Sequence, residues 1–115
     1  MADYRAGLAA FSRGDRPESR RLLQKAADEG SAGAAAVLGC AYLSGDWCPR
    51  NLRKALPLLR AGAAKGQVHA MCGLAYAYMM GLGVTRNYGA ARYWLRRAWT
   101  ANPTFALLRF FAKNF

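Results

Sequence analysis

Apolar residues recur along this chain at three- and four-residue intervals, in stretches of about a dozen residues separated by glycine-bearing turns. No sustained apolar/polar alternation occurs and β-branched residues are few, so nothing reads as a strand. Much of the apolar content is alanine, as in Ala34-Ala35-Ala36, which loses no side-chain entropy in a helix. The spacing predicts helices at 3–13, 17–29, 31–44, 51–65, 67–80, 87–100 and 103–113. Gly30 and Gly66 suit the left-handed position that ends a helix, and Asn102 is the next best residue for it. Asn51 and Asn87 are placed to cap the helices that follow them. Pro57 falls inside the fourth predicted helix, where it removes a backbone donor and crowds the carbonyl of Arg53. A kink is expected there, or a helix that begins later than Asn51.

The helices repeat. Shifted by 36 residues, Gly30 falls on Gly66, Ala34 on Ala70, Leu38 on Leu74, Ala41 on Ala77 and Tyr42 on Tyr78. The register continues through Gly45 and Gly81, Arg50 and Arg86, Asn51 and Asn87, Ala55 and Ala91, Leu59 and Leu95, and Arg60 and Arg96. Each period holds two helices, so the chain divides into hairpins over about 3–29, 31–65 and 67–100, in one domain spanning 1–115. A single hairpin cannot bury its apolar face alone and must stack on its neighbours.

The residues that carry the period resemble a known family. Ala34-x3-Leu38-Gly39-x2-Tyr42-x2-Gly45 followed by Lys54-Ala55-x2-Leu58-Leu59 is similar to the Sel-one-like repeat (SLR) of the tetratricopeptide superfamily. So is Leu74-Ala75-x2-Tyr78-x2-Gly81-x-Gly83-Val84 followed by Ala91-x2-Trp94-Leu95-x2-Ala98. The resemblance implies an all-α, right-handed solenoid of three antiparallel hairpins and a non-enzymatic role as adaptor or scaffold. Small residues at Gly39, Ala75, Ala55 and Ala91 stand where helices must approach closely. In the helix at 103–113, Phe111 occupies the small-residue position, so that helix is expected to cap the array.

The first helix of each hairpin lines the concave face in such solenoids. By register this implies a partner-binding groove from Gly33, Ala36, Cys40, Leu43 and Ser44, then His69, Cys72, Tyr76, Met79 and Met80, with Phe105, Leu108 and Ala112 from the cap. That lining is apolar and adaptable, suited to an apolar segment or amphipathic helix of a protein partner.

Charge adds a second surface. All six acids lie at or before Asp46, where six basic residues balance them; residues 47–115 carry eleven basic residues and no acid, which is the whole formal +11. Arg20, Arg53, Arg60, Arg86, Arg92, Arg96 and Arg97 fall on or beside the second helices and are expected to form a basic outer surface. That surface fits an acidic protein partner, or alternatively nucleic acid or an anionic surface.

Catalysis finds no foothold: His69 is the only histidine, no nucleophile–base–acid set exists, and Gly81-Leu82-Gly83 is a repeat turn rather than a phosphate loop. Cys40, Cys48 and Cys72 form no CxxC pair and read as free thiols of a reducing, cytoplasmic setting, so no metal or cofactor is expected. No stretch reaches the ~20 apolar residues of a membrane span, and the N-terminus lacks a leader pattern. Phe105, Phe110, Phe111 and Phe115 leave open a homodimer through the last helix.

Overall fold

A computed structural model describes residues 2–45 and 48–102. Six α-helices and no strands are found among them: α1 (Ala2–Ser12), α2 (Arg16–Asp28), α3 (Ala32–Ser44), α4 (Leu52–Ala64), α5 (Val68–Met80) and α6 (Tyr88–Ala101). The capping helix expected at 103–113, with Phe105, Leu108, Phe111 and Ala112, lies outside the described residues.

The helices end where backbone chemistry requires it. After α2, Gly30 adopts φ 97° and the chain closes a double reverse bond: Ser31 N–H donates to the Ala26 carbonyl (2.9 Å) and Gly30 N–H to Ala27 (3.0 Å). One period later Gly66 adopts φ 88°, with Gln67 N–H on Gly62 and Gly66 N–H on Ala63, both at 3.0 Å. The turns within hairpins repeat as closely. Asn51 N–H donates back to the Tyr42 carbonyl and Asn87 N–H to Tyr78, both at 2.9 Å. The side chains of the same asparagines accept from Lys54 N–H (3.1 Å) and Ala90 N–H (3.0 Å), capping α4 and α6.

One local expectation is corrected. Asn102 has φ −153°, not the left-handed geometry. The residue after it is Pro103, whose ring disfavours helical backbone in the residue it follows and leaves Asn102 extended. The helix that holds Pro57, α4, starts at Leu52, directly after its Asn51 cap, and runs through the proline to Ala64. Pro57 is exposed, so the Arg53 carbonyl that it cannot bond faces the water side of the helix.

Packing follows hairpin order. Helices pair as α1–α2, α3–α4 and α5–α6, and the hairpins join through α2 on α3, α4 on α5 and α3 on α5. Neighbours therefore cover α3 and α5, which bury most of their residues, including Ala34, Leu38 and Leu74 at 0% exposure. Leu23 and Leu59 are also fully buried. Each sits against a glycine of its partner helix: a Cβ at Gly7 would come within 2.7 Å of Leu23, and one at Gly39 within 2.8 Å of Leu59. Leu59 also reaches the next hairpin, where a Cβ at Gly73 would lie 2.7 Å from its Cδ2. The wedge of Leu59 between α3 and α5 fixes how the second and third hairpins stack. In the first hairpin a polar bond adds to this packing: the buried Ser19 hydroxyl donates to the Gly7 carbonyl across the helix pair (2.8 Å).

Candidate partner-binding surfaces

The inner surface is formed by α1, α3 and α5. A groove of about 320 Å³ opens there, walled by Tyr4 of α1, by Gly33, Val37, Cys40 and Ser44 of α3, and by Gln67 and His69 at the start of α5. Tyr4 seats against bare backbone, since a Cβ at Gly33 would lie 2.9 Å from its ring. The groove brings together Gly33, Ala36, Cys40, Ser44 and His69 of the expected lining. Sequence register missed Tyr4, which reaches the groove from α1 through hairpin stacking, and Val37 and Ala41, which flank the expected line on α3.

The remaining positions separate into two groups. Tyr76 (36% exposed) and Met80 (49% exposed) stand one period beyond Cys40 and Ser44, and Met79 between them is half-buried. They extend the open inner face along α5. Leu43 and Cys72, at 4% and 2% exposure, belong instead to the core. Their expected place in the groove is corrected by helix packing: α3 and α5 have neighbours on several sides, so positions flanking the exposed line are covered. Phe105 and Leu108 lie outside the described residues.

The thiols here are inert by environment. Cys40 Sγ donates to the His69 carbonyl at 3.6 Å, and desolvation pushes this thiol up to about 11. Cys72 is pushed up to about 12, by desolvation first and then by its neighbour Cys40. Neither forms a reactive thiolate near neutrality. Among the described residues all three cysteines are free and no group of side chains is arranged to hold a metal.

On the outer side Arg20, Arg53, Arg60, Arg96 and Arg97 line three depressions. The largest of the three, about 690 Å³, lies between α2 and α4 and contains Arg20 and Arg53 together with Arg21 and Lys54. A second, about 260 Å³, holds Arg53 and Arg60 beside Leu56 and Gly83. The third, about 500 Å³, lies along α6 and holds Arg96 and Arg97 with Tyr93 and Met71. Arg97 stacks over Trp94 (5.2 Å) and Tyr93 (5.8 Å), and Arg86 lies over Tyr88 (6.0 Å). Arg92 is exposed on α6. Among the described residues ion pairing is sparse: Glu18 engages Arg21, which holds the Glu18 carboxyl below its usual range, and Lys25 lies 3.8 Å from Asp3.

No helix among the described residues is long and apolar enough to cross a membrane. No functionally curated protein matches the chain. Solved structures do. A Sel1 repeat protein from Oxalobacter formigenes is 30% identical, superposes with a TM-score of 0.67, and is aligned over 73% of this chain and 64% of its own. A protective antigen of uropathogenic Escherichia coli strains, described as displaying an SLR fold, is 27% identical with a TM-score of 0.78, over 88% of this chain and 22% of its own. This chain thus spans under two thirds of the length of either neighbour. The family model for the Sel1 repeat matches residues 1–31, 32–67 and 68–101, one copy for each hairpin described above. Sel1 repeat proteins are generally non-catalytic modules for protein–protein interaction. With three consecutive copies covering nearly the whole chain, the protein belongs to the Sel1 repeat family.

Proposed function

We propose that this chain is a protein-binding module, an adaptor or small inhibitory partner, that grips a segment of another protein on its inner face. The observation that carries this reading is the continuity of that face. One period on from the Cys40 and Ser44 that line the groove beside Tyr4, the same register positions hold exposed Tyr76 and Met80. Exposed tyrosine offers large apolar area at low ordering cost, and methionine adapts its shape to an amphipathic or apolar segment. Soft apolar contacts supply affinity, while the net charge of +11 speeds encounter with an acidic partner. Three free cysteines fit a reducing, cytoplasmic setting.

Capture from native-host extract with the wild type and with Tyr76→Ala/Met80→Ala tests the reading. The double variant should keep its helical circular dichroism and lose the captured protein. Retained capture at wild-type level would remove the inner face from consideration.

Nucleic-acid binding is the second reading, favoured by eleven basic residues and no acid in residues 47–115 and by the Arg97 stack on Tyr93 and Trp94. It requires affinity that falls steeply with salt as counterions are released. A gel-shift titration with no complex at low salt excludes it. The homodimer expected through the C-terminal helix is tested by light scattering, where a monomer at high concentration rules it out.

A further inference from the structure

The two clefts between successive outer helices are built to the same plan but are chemically unlike. The cleft between α2 and α4 is lined by Pro17, Arg20, Arg21, Arg53 and Lys54 over Tyr42 and Leu58. Advancing these positions by the 36-residue period gives Arg53, Leu56, Pro57, Gly89 and Ala90 over Tyr78 and Trp94. Four cations in the first cleft become two in the second, Arg53 and Arg60, at the positions that held Pro17 and Gln24. The fold therefore does not need cations at these four positions, because the second interface stacks without them. Their concentration in one cleft calls for a ligand.

Three features define that ligand. Among the described residues no acid pairs with Arg20, Arg53 or Lys54, and Arg21 is matched by Glu18. The first turns of α2 and α4, at Pro17 and at Arg53-Lys54, both face the cleft, so the positive ends of two helices add to its field. Between the cations lies an apolar floor of Pro17, Pro57 and Leu58. Tyr42, the one aromatic among the described residues of the cleft, is 6% exposed and lies beneath the Lys54 ammonium (5.5 Å), so it offers no face for a nucleobase to stack on.

We propose that the α2/α4 cleft is a docking site for an acidic segment of a protein partner. An apolar side chain of that segment rests on Pro57 and Leu58, and flanking carboxylates meet Arg20, Arg53 and Lys54. Charge complementarity selects the occupant, and the apolar floor selects a peptide over a bare polyanion. The site lies on the opposite side of the array from the Tyr76–Met80 face and stands independently of it.

The test is fluorescence anisotropy with a labelled synthetic peptide in which Asp and Glu residues flank a single Leu. Saturable binding is expected, weakened about tenfold by Arg53→Ala/Lys54→Ala. Arg92→Ala/Arg96→Ala removes the same charge from α6 and is expected to change the affinity less than about twofold. Replacing the Leu of the peptide by Gly should weaken binding several-fold. Should Arg53→Ala/Lys54→Ala lose its helical dichroism, Arg53→Gln/Lys54→Gln takes its place. Equal weakening by the two charge-removing pairs, tighter binding of a single-stranded oligonucleotide of matched charge, or no saturable binding each overturns the proposal. Tyr76→Ala/Met80→Ala is expected to bind this peptide normally, so failure at either surface is read separately.

Discussion

The contact of Leu59 with Gly39 and Gly73 reverses the usual effect of a helical glycine, and Gly39→Ala measures it. In an unobstructed helix interior the exchange stabilises by about 1 kcal/mol, because glycine has more backbone freedom to lose on folding. At Gly39 the added methyl would lie 2.8 Å from Leu59 Cδ2, 2.9 Å from its Cγ and 3.1 Å from its backbone nitrogen. The first two contacts are inside van der Waals range. Leu59 cannot swing clear, because its Cδ2 already abuts Gly73 on the next hairpin. Overpacking of this kind costs about 1–3 kcal/mol, so a net destabilisation of about 1 kcal/mol is expected. Leu59→Ala alone should cost about 3 kcal/mol, since the side chain is fully buried. In the double variant the clash disappears and the new methyl fills part of the vacated space. Gly39→Ala should then be neutral or stabilising, giving a coupling energy of about 2 kcal/mol. Urea unfolding followed by circular dichroism gives all four corners of the cycle. A stabilising Gly39→Ala single variant, or additivity within about 0.5 kcal/mol, would refute the wedge.

Other consequences follow from the same geometry. Asn51→Ala and Asn87→Ala each remove a cap bond at the same register position and should each cost about 1 kcal/mol in urea unfolding. Gly66→Ala forces a methyl-bearing residue to φ 88° with no steric contact to add, so a loss of about 1 kcal/mol is expected from backbone strain alone. Cys40 and Cys72 should react with a thiol reagent near neutral pH far more slowly in the folded protein than in denaturant, because burial keeps both protonated. Their pKa values are raised from an unfolded value of about 8.5, so the folded state holds protons that the unfolded state releases. The stabilisation is complete below about pH 8.5 and is lost progressively as the pH rises towards 11 and 12. Comparing urea midpoints at pH 7.5 and 10 for the wild type and Cys40→Ala/Cys72→Ala checks this: the double variant should show the smaller decline.

Periodicity located all six described helices to within one residue at each end, because the signals that end them are local. A glycine at the left-handed position and an asparagine whose side chain reaches a nearby N–H act within one turn, and both are visible in the chain. Asn102 was misjudged because the following proline overrides its own preference. The inner surface was legible only in part. Register marks which residues share a face, but it does not say how many neighbours cover that face. Leu43 and Cys72 were therefore assigned to an open groove, though α3 and α5 bury them. Tyr4 was missed for the converse reason, since its place against Gly33 arises from hairpin stacking. The α2/α4 cleft likewise requires Arg20–Arg21 and Arg53–Lys54, more than thirty residues apart, to face one another.

The period itself separates stability from recognition. Closing bonds at 26–31 and 62–67, caps at Asn51 and Asn87, and the buried Leu38 and Leu74 recur at the same offset because every hairpin must solve the same backbone and packing problem. A residue that helps one hairpin to stack should help its equivalent as well, so positions that change character between copies are under a different demand. The clearest such changes among the described residues lie at the surface. Cys40 and Ser44 become Tyr76 and Met80 on the inner face, and Arg20, Arg21, Arg53 and Lys54 become Leu56, Pro57, Gly89 and Ala90 on the outer face. The inner face gains apolar reach toward the third hairpin, while the outer cleft gathers cations toward the first. A partner that used both would contact opposite sides and opposite ends of the array. The two surfaces therefore suit either two separate partners or one that wraps around an edge, and single-surface variants distinguish these arrangements. Two partners lose binding one at a time, whereas a wrapping partner is weakened by either variant.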